Sequence, residues 1–557
     1  MQEFVYYNPN QLDFPLHESI KTISSLNQIE NNNFIVSNSD EISSEICAKE
    51  IDFYMKNSQD SYANKITNTT KLYEISAVKF DYAQDVSLNQ EIKNSLLIIS
   101  DSKEDYENFI EKLDKEKFDL MYLNEPEKLK EIKGSFGDFQ LSILHNDKTT
   151  PLEVAQIVWF NATLEKQRTG IYDPNQSSIE EVILTVTQNL EGYTYKKFTT
   201  YDSSICQYHE RREEICSRCV TVCPTNAITK IDSIKHLEFS PIDCIGCGTC
   251  VSVCPSGSLD YAPTSKEALM EMSRFYKGVH PLILSQKTNW EMEISLKENI
   301  LPFAIEGENI FDEASLLSLV QMSASQVIYY APNLIEITKE AIEMINTIFR
   351  IKYQKEAILI AQNEIELQEQ INNVVLIPES YFNINQTGMK KREIFAQRLE
   401  HIVGDENLGT MNTGEHIHYG KVVVNEANCT LCLSCVGACN VDAIVANEKD
   451  LSLRINPSLC TACGYCEVSC PEKDCLTIER DVIELEPLWF KENILAKDTL
   501  FACVECGKEF ATAKAVEKIA TMMAPIFAKS SEAKRKTLYC CENCKVKIMF
   551  KEGFLNA

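Results

Sequence analysis

The chain has 557 residues, which at about 150 residues per domain predicts about three to four domains. Its 54 basic and 82 acidic residues give a net charge of -28, which argues against a general nucleic-acid-binding surface. No run approaches the roughly 18 apolar residues of a membrane helix, and the first residues lack an export signal, so we expect a cytoplasmic protein without membrane insertion. In that compartment the 23 cysteines indicate metal or redox sites rather than disulfides.

Residues 1–200 are predicted to form an N-terminal α/β domain to which the sequence assigns no role. Within this range SLLIIS, EDYENFIEKL and FDLMYLN follow one another as strand, helix and strand, and GSFGDFQLSIL reads as a strand. The many acidic side chains are interpreted as a solvated surface. Steering of a basic partner protein is the alternative interpretation.

Cysteines dominate residues 201–265, which are predicted to form a separate module. The run over 244–255 has the spacing C-x2-C-x2-C-x3-C-P, which is typical of [4Fe–4S] proteins. The run over 216–224 has only the last three cysteines of this spacing, with Glu213 where the first is expected. The nearest candidate for the missing ligand is Cys206.

Residues 266–380 contain no cysteine and alternate between helix and strand patterns. The apolar strands HPLILS, LPFAIE, QVIYYAP, AILIA and NVVLIP suit a parallel sheet covered by helices, and Asp312 is expected to cap one helix. This order resembles the small delta subunits of hydrogenase and heterodisulfide reductase complexes, but without their cysteines. We expect a Rossmann-like domain for docking or spacing. A cofactor site is the alternative, although the segment has no G-x-G-x-x-G and no P-loop.

Residues 381–420 are predicted to form a linker with one helix, MKKREIFAQRLEHI. The three consecutive basic residues Lys390, Lys391 and Arg392 near its start are interpreted as a solvated end of that helix.

Residues 421–485 repeat the cysteine pattern of the first module. The run over 429–439 has all four cysteines but is followed by Asn440, whereas the other three runs are followed by proline. A constant offset of 216 positions relates Cys216 to Cys432 and Cys254 to Cys470, so the modules are internal repeats. Zinc is the alternative metal, but zinc sites do not require the third cysteine or the proline. Cys475, after the last run, is interpreted as a packing residue.

Residues 206–262 and 429–482 each resemble a bacterial two-cluster ferredoxin. The resemblance implies crossed ligation, in which the last cysteine of each run binds the neighbouring cluster, and therefore four [4Fe–4S] clusters. The implied ligand sets are Cys206, Cys216, Cys219 and Cys254; Cys223, Cys244, Cys247 and Cys250; Cys429, Cys432, Cys435 and Cys470; and Cys439, Cys460, Cys463 and Cys466. Without Cys206 the first site would hold a [3Fe–4S] cluster, or would use His209 or an exogenous ligand.

Residues 486–557 are predicted to form a zinc-ribbon-like module. It contains two isolated C-x2-C pairs, Cys503 with Cys506 and Cys541 with Cys544. Four thiolates in this arrangement suit one structural Zn²⁺, whose binding contributes folding energy. Cys540 could replace Cys541, and a fifth cluster or free thiols are alternatives to zinc.

The expected fold class is therefore multidomain α/β and α+β, with two dicluster ferredoxin modules flanking the Rossmann-like domain and a zinc-ribbon-like module at the end. The whole resembles cytoplasmic multi-cluster ferredoxin-like proteins that accompany formate dehydrogenases and other molybdenum or tungsten enzymes. This implies electron transfer to or from a dehydrogenase, molybdoenzyme or hydrogenase. The alternatives are a maturation or adaptor factor with structural or sensory clusters, and a nucleic-acid-binding regulator. No catalytic residue is predicted, so a non-catalytic carrier is favoured over an enzyme.

Overall fold

The computed structural model describes residues 3–8, 18, 20–28, 30, 33–38, 42, 44–145, 148–163 and 168–551. Over these ranges the protein is a mixed α/β structure built from several small sheets. None of the helices that they contain combines the length and the apolar character needed to cross a membrane.

The first part of the chain packs against the middle segment. Its four parallel strands are Glu3–Tyr7, Lys21–Ile23, Asn33–Ser37 and Ile46–Cys47, and its helices are Lys49–Asn57 and Tyr62–Tyr82. Tyr54 and Leu72 belong to the same buried hydrophobic core as Leu296 of the middle segment. The backbone N–H of Gln59 also donates to the carbonyl of Leu296 at 2.8 Å.

Residues 86–197 form two hydrophobic cores, one of which also includes Ile242 of the first cysteine-rich module. The predicted strand, helix and strand are confirmed as Ser95–Ile99, Lys103–Lys112 and Asp119–Leu123. The other elements are strands Gln156–Trp159 and Ile171–Tyr172 of the parallel sheet, the antiparallel strands Leu129–Ser135, Asp138–His145 and Lys148–Val154, the paired strands Val86–Gln90 and Tyr193–Lys197, and helix Ile179–Gln188.

The middle segment is a parallel four-stranded sheet with helices. In spatial order the strands are Ile300–Ile305, His280–Ser285, Val327–Tyr330 and Ile358–Ala361. The helices are Lys266–Arg274, Glu313–Ser323, Glu336–Tyr353 and Glu364–Asn373. Asp312 caps the second helix as predicted, by accepting a hydrogen bond from the backbone of Ser315. The predicted strand NVVLIP is wrong, because it forms only a single bridge between Leu376 and Ser325.

The helix after this sheet, Lys391–Val403, is buried rather than solvated. Lys391 and Arg392 are 3% and 2% exposed, so the interpretation of these two side chains as a solvated helix end is wrong. Lys391 Nζ lies 2.9 Å from a carboxylate oxygen of Glu313 and 3.5 Å from one of Asp312. Burial alone would lower the pKa of Lys391, but the two carboxylates outweigh it and raise that pKa, so the group is a buried ion pair.

The two cysteine-rich modules are built from short antiparallel strand pairs and one-turn helices, as the repeat predicts. The first has strands Thr199–Tyr201, Ile228–Ile231, His236–Phe239 and Leu259–Tyr261, and helices Arg218–Val222 and Thr249–Ser252. The second has strands Thr410–Asn412, Gly420–Val424, Ile444–Asn447, Ser452–Ile455, Leu476–Arg480, Val482–Glu484 and Asn493–Lys497, and helices Ser434–Ala438 and Tyr465–Ser469. The tail has strands Leu500–Ala502 and Glu509–Thr512, and helices Ala513–Phe527, Glu532–Lys536 and Glu542–Lys551.

Replacing Lys391 with methionine should destabilise the protein by about 3–5 kcal/mol, because it leaves two buried carboxylates without a counter-charge. Guanidinium unfolding followed by circular dichroism measures this. Lys390→Met is the matched control, since Lys390 makes an exposed ion pair with Asp442 at 2.9 Å and should cost less than about 1 kcal/mol. Equal losses for the two variants would contradict the prediction.

Candidate metal centres

The first set of thiols includes Cys206, the candidate for the missing ligand of the first module. Cys206, Cys216, Cys219 and Cys254 line one small cavity, and Cys206 is 8% exposed. The structure therefore brings Cys206 to the other three, although nine residues separate it from Cys216. His209 is not among the described residues that line this cavity, and its Nδ1 lies 3.1 Å from Nδ1 of His236.

The second set lines a larger cleft. Cys223, Cys244, Cys247 and Cys250 face a space of about 1380 Å³. Its far side is formed by the domain of residues 86–197, including Val86, Ile132 and Arg168. This set is therefore at the side of the first module that faces that domain.

The second module holds two more sets. Cys429, Cys432, Cys435 and Cys470 line one cavity, and Cys432 is exposed. The fourth set consists of Cys439, Cys460, Cys463 and Cys466, whose thiols lie near enough to interact electrostatically. Burial and then the neighbouring thiols of Cys463 and Cys439 raise the pKa of Cys460 to about 12, against a hydrogen bond from the backbone of Ala462.

Backbone N–H groups point at the sulfur atoms in a repeated manner. The donor is the residue two positions after the cysteine, as in Tyr208 to Cys206 at 3.5 Å and Ala462 to Cys460 at 3.4 Å. The backbone N–H two positions later also donates to the sulfur of four further cysteines, Cys216, Cys244, Cys429 and Cys463. Cys206 thus has the local geometry of the cysteines in regular positions, and N–H donors of this kind stabilise sulfur that carries negative charge.

Four crowded thiols suit a cationic centre. Burial raises the pKa of Cys216 to about 11, and the nearby Cys254 adds to the rise. Cys435 behaves alike, with a pKa of about 12 set first by burial and then by Cys429 and Cys432. Without a metal these two thiols would stay protonated, whereas iron or zinc binds the deprotonated form and cancels its charge. The residues of the four sets therefore fit iron–sulfur clusters.

The two modules contact each other directly. Asn440 Nδ2 donates to the carbonyl of Cys206 at 3.0 Å, and the buried Gln207 donates to Thr461. Within the modules, Cys250 lies near enough to Cys219 to contribute to its raised pKa, and Cys435 does the same for Cys466, in both cases after burial as the main cause. The four sets therefore follow one another, from the cleft to the exposed Cys432.

The tail brings its two cysteine pairs together. One ligand atom from each of Cys503, Cys506, Cys541 and Cys544 lies within 4.8 Å of the others. Burial opposes ionisation of Cys503, but backbone N–H groups of Cys541, Glu505 and Cys506 lower its pKa to about 6. The structure thus brings four cysteine sulfurs together and favours ionisation of one of them, Cys503, which suits a tetrahedral metal ion.

Cys540 does not join this group. It is fully buried, and its Sγ donates to the carbonyl of Lys536 at 3.3 Å. Burial and the neighbouring Cys503 raise the pKa of Cys540 to about 11, so it stays a thiol. The helix that begins at Glu542 directs its neighbour Cys541 toward the other pair instead.

Two kinds of residue at these sites escape sequence reasoning. Cys475, interpreted as packing, lines the cavity of the third set and interacts with Cys429 and Cys470. The sequence signal for a place near the third set is the position of Cys475, in the insertion just after the predicted ligand Cys470. Arg392 lies near Cys460 although many residues separate them in the chain, and no local pattern indicates that contact.

Comparison with known families agrees with the geometry. Models described as a 4Fe-4S dicluster domain match residues 214–258 and again residues 421–471. A search of curated proteins found no match to the chain. The first family match begins after Cys206, so it leaves the ligand role of that cysteine open. The prediction of two repeated iron–sulfur modules is confirmed, because the chain contains two 4Fe–4S dicluster domains, and these domains support an iron–sulfur, ferredoxin-like protein.

Proposed function

We propose that this protein is a cytoplasmic electron carrier that holds four [4Fe–4S] clusters and one Zn²⁺ and exchanges electrons with a partner oxidoreductase. Bound clusters would supply one-electron redox chemistry with little ligand motion. The single observation that supports the proposal best is the direct contact between modules through Cys206 and Asn440. Because of it, the two pairs of thiol sets form one continuous series rather than two separate ferredoxins.

Burial along the series supports a relay. In the two inner sets Cys219, Cys254 and Cys460 are buried, which protects that part of the path from solvent and oxidants. At one end Cys432 is exposed, and at the other the cleft leads to Cys244 and Cys247. Electrons would therefore enter and leave at the ends, where partner proteins can approach.

The tail supports one end of this series. Thr512 Oγ1 donates to the carbonyl of Thr430 at 3.1 Å, and Lys518 forms an ion pair with Glu472. Both contacts lie next to cysteines of the third set. A zinc ion that folds the tail would therefore also hold the protein around that set.

The identity of the partner rests on the overall resemblance alone. That resemblance points to formate dehydrogenase or to another molybdenum or tungsten enzyme. An adaptor or maturation factor, whose clusters are structural, is the competing function. It differs in one measurable property, since an adaptor binds its partner without exchanging electrons.

Anaerobic electron counting and stopped-flow mixing test the proposal. The protein should accept about four electrons per chain from dithionite. Once reduced, it should be oxidised rapidly and saturably by a molybdenum- or tungsten-dependent formate dehydrogenase. Stable association with that enzyme without electron flow would favour the adaptor. Folded, iron-free protein would contradict both.

Cys206→Ala should lower the iron content from about 16 atoms per chain by about one to four, because the first set loses one of its four thiols. Iron and sulfide analysis of anaerobically purified protein measures this. His209→Ala is the matched control and should keep the full content, since His209 is paired with His236. Loss of iron in the histidine variant alone would assign the fourth ligand to His209.

Cys541→Ser should abolish binding of about one zinc per chain and loosen the tail, whereas Cys540→Ser should retain the metal. The two positions are adjacent and both buried, so the pair separates metal ligation from packing. Elemental analysis measures the zinc, and limited proteolysis reports on the tail. Zinc loss in both variants, or in neither, would contradict the predicted ligand set.

A further inference from the structure

The two modules depart from their shared pattern at one place each. Subtracting the repeat offset of 216 from Cys429 leads to Glu213, and the first module brings in Cys206 from outside the pattern instead. The second module has Asn440 where the other three runs have Pro224, Pro255 and Pro471. Nothing in the sequence connects these two departures.

In the structure the two residues that depart from the pattern, Cys206 and Asn440, are in contact. The side-chain amide of Asn440 donates to the main-chain carbonyl of Cys206 at 3.0 Å. A proline at position 440 would have no donor to offer. The hydrogen bond therefore depends on the asparagine at position 440, and it places that departure against the backbone of the other one, at Cys206.

Further contacts surround this hydrogen bond. Gln207 donates to Thr461, and both side chains are 4% exposed. The guanidinium of Arg211 donates to the carbonyl of Ala438 at 3.0 Å and lies 4.4 Å from the ring centre of Tyr465. We call residues 206–212 the connector, because these contacts join it to the second module.

Each contact of the connector falls beside a cysteine of the fourth set. Ala438 and Asn440 flank Cys439, Thr461 follows Cys460, and Tyr465 precedes Cys466. Thr461 also interacts with the sulfur of Cys463. The path from the sulfur of Cys206 thus follows the covalent chain to the side-chain amide of Gln207, and then two hydrogen bonds through Thr461 to Cys463, a predicted ligand of the neighbouring site.

We propose that the connector is an electron bridge between the modules, in which Asn440 and Gln207 are positioning residues that hold the first and fourth thiol sets at a fixed separation. This inference rests on the proposed function. Electron tunnelling slows steeply with distance and is helped by covalent and hydrogen-bonded contact. Buried hydrogen bonds of this kind also hold an interface more rigidly than exposed ones.

Asn440→Pro is a suitable variant, because the backbone after Cys439 can accommodate a proline. Cys439 has ψ of 103°, close to the 119° of Cys223 and the 118° of Cys470, which both precede a proline. Residues before proline favour this extended conformation. The variant therefore restores the residue of the other three runs and removes the side-chain donor together with the backbone N–H of position 440.

Asn428→Ala is the matched control. Asn428 precedes Cys429 and donates to the carbonyl of Asp474 at 3.0 Å, within the second module. It resembles Asn440 in residue type and in lying beside a cysteine, but it does not contact the first module through that bond.

The experiment reduces the intact, iron-loaded protein partially with a deazaflavin photoreductant and follows the redistribution of electrons by freeze-quench EPR. In Asn440→Pro combined with Gln207→Met we expect redistribution at least ten times slower than in the wild type. Iron content and cluster midpoint potentials should be unchanged. Asn428→Ala should match the wild type. Hydrogen exchange should show that residues 206–212 lose protection in the double variant only.

A double variant that keeps its iron and redistributes electrons at the wild-type rate would overturn the inference. If the double variant lost iron, the single variant Gln207→Met would provide the test, since it leaves the turn after Cys439 and every cysteine unchanged. A wild-type rate of electron redistribution in that single variant would also overturn the inference. Wild-type protein whose clusters exchange no electrons would refute the proposed function instead. In that case exchange protection of residues 206–212 still tests their docking on the second module.

Discussion

The crowding of cysteine thiols is the constraint on which the rest of this structure depends. A buried cysteine ionises with difficulty, and a second thiol beside it makes ionisation harder, as the raised pKa values of Cys216 and Cys435 show. Only a cationic centre makes four such groups stable as thiolates. The loops around them also adopt strained backbone, since Leu431 and Leu433 have φ of 52° and 62°. Such loops persist because the sulfur atoms must converge.

The helix that follows the cysteine-free middle segment takes part in this arrangement through two buried cations. Lys391 donates to the carbonyl of Cys254 at 3.2 Å, and Arg392 donates to that of Pro255 at 2.9 Å. Arg392 also donates to the carbonyl of His418 and lies 3.7 Å from the ring centre of Tyr419, at the start of the second module. The helix that begins at Lys391 therefore braces both modules. Asp312 and Glu313 balance Lys391, whereas Arg392 adds positive charge near Cys460, which would favour the reduced form of a cluster bound there.

Local features could be predicted from the sequence, and contacts between distant residues could not. Cysteine spacing, the cap at Asp312 and the apolar strands are determined by neighbours in the chain, so their patterns are readable. The segment NVVLIP has strand composition, but of its residues Leu376 alone forms a β-bridge, with Ser325. Lys391 looks like any exposed helical lysine, because its partners Asp312 and Glu313 are distant in sequence.

The choice between adjacent cysteines shows the same limit at a site. Cys540 and Cys541 are equivalent by composition, and their spacing to Cys544 differs by one residue. The direction of the backbone before the last helix separates them, because it turns one sulfur toward Lys536 and the other toward Cys506 at 3.8 Å. The same holds for Cys206, whose approach to Cys254 depends on how the connector lies against the second module.

The two ends of the series of thiol sets differ in what surrounds them. This difference bears on where an electron donor and an electron acceptor would dock. The second set faces a cleft whose walls include Arg168 and Lys197, whereas the third set is flanked by the tail through Thr512 and Lys518. A partner that fits between the first module and the domain of residues 86–197 meets a concave surface. A partner at Cys432 meets an exposed cysteine beside the tail. Since the two ends present different surroundings, the donor and the acceptor of a relay would dock at different ends, and the fold itself would keep them apart.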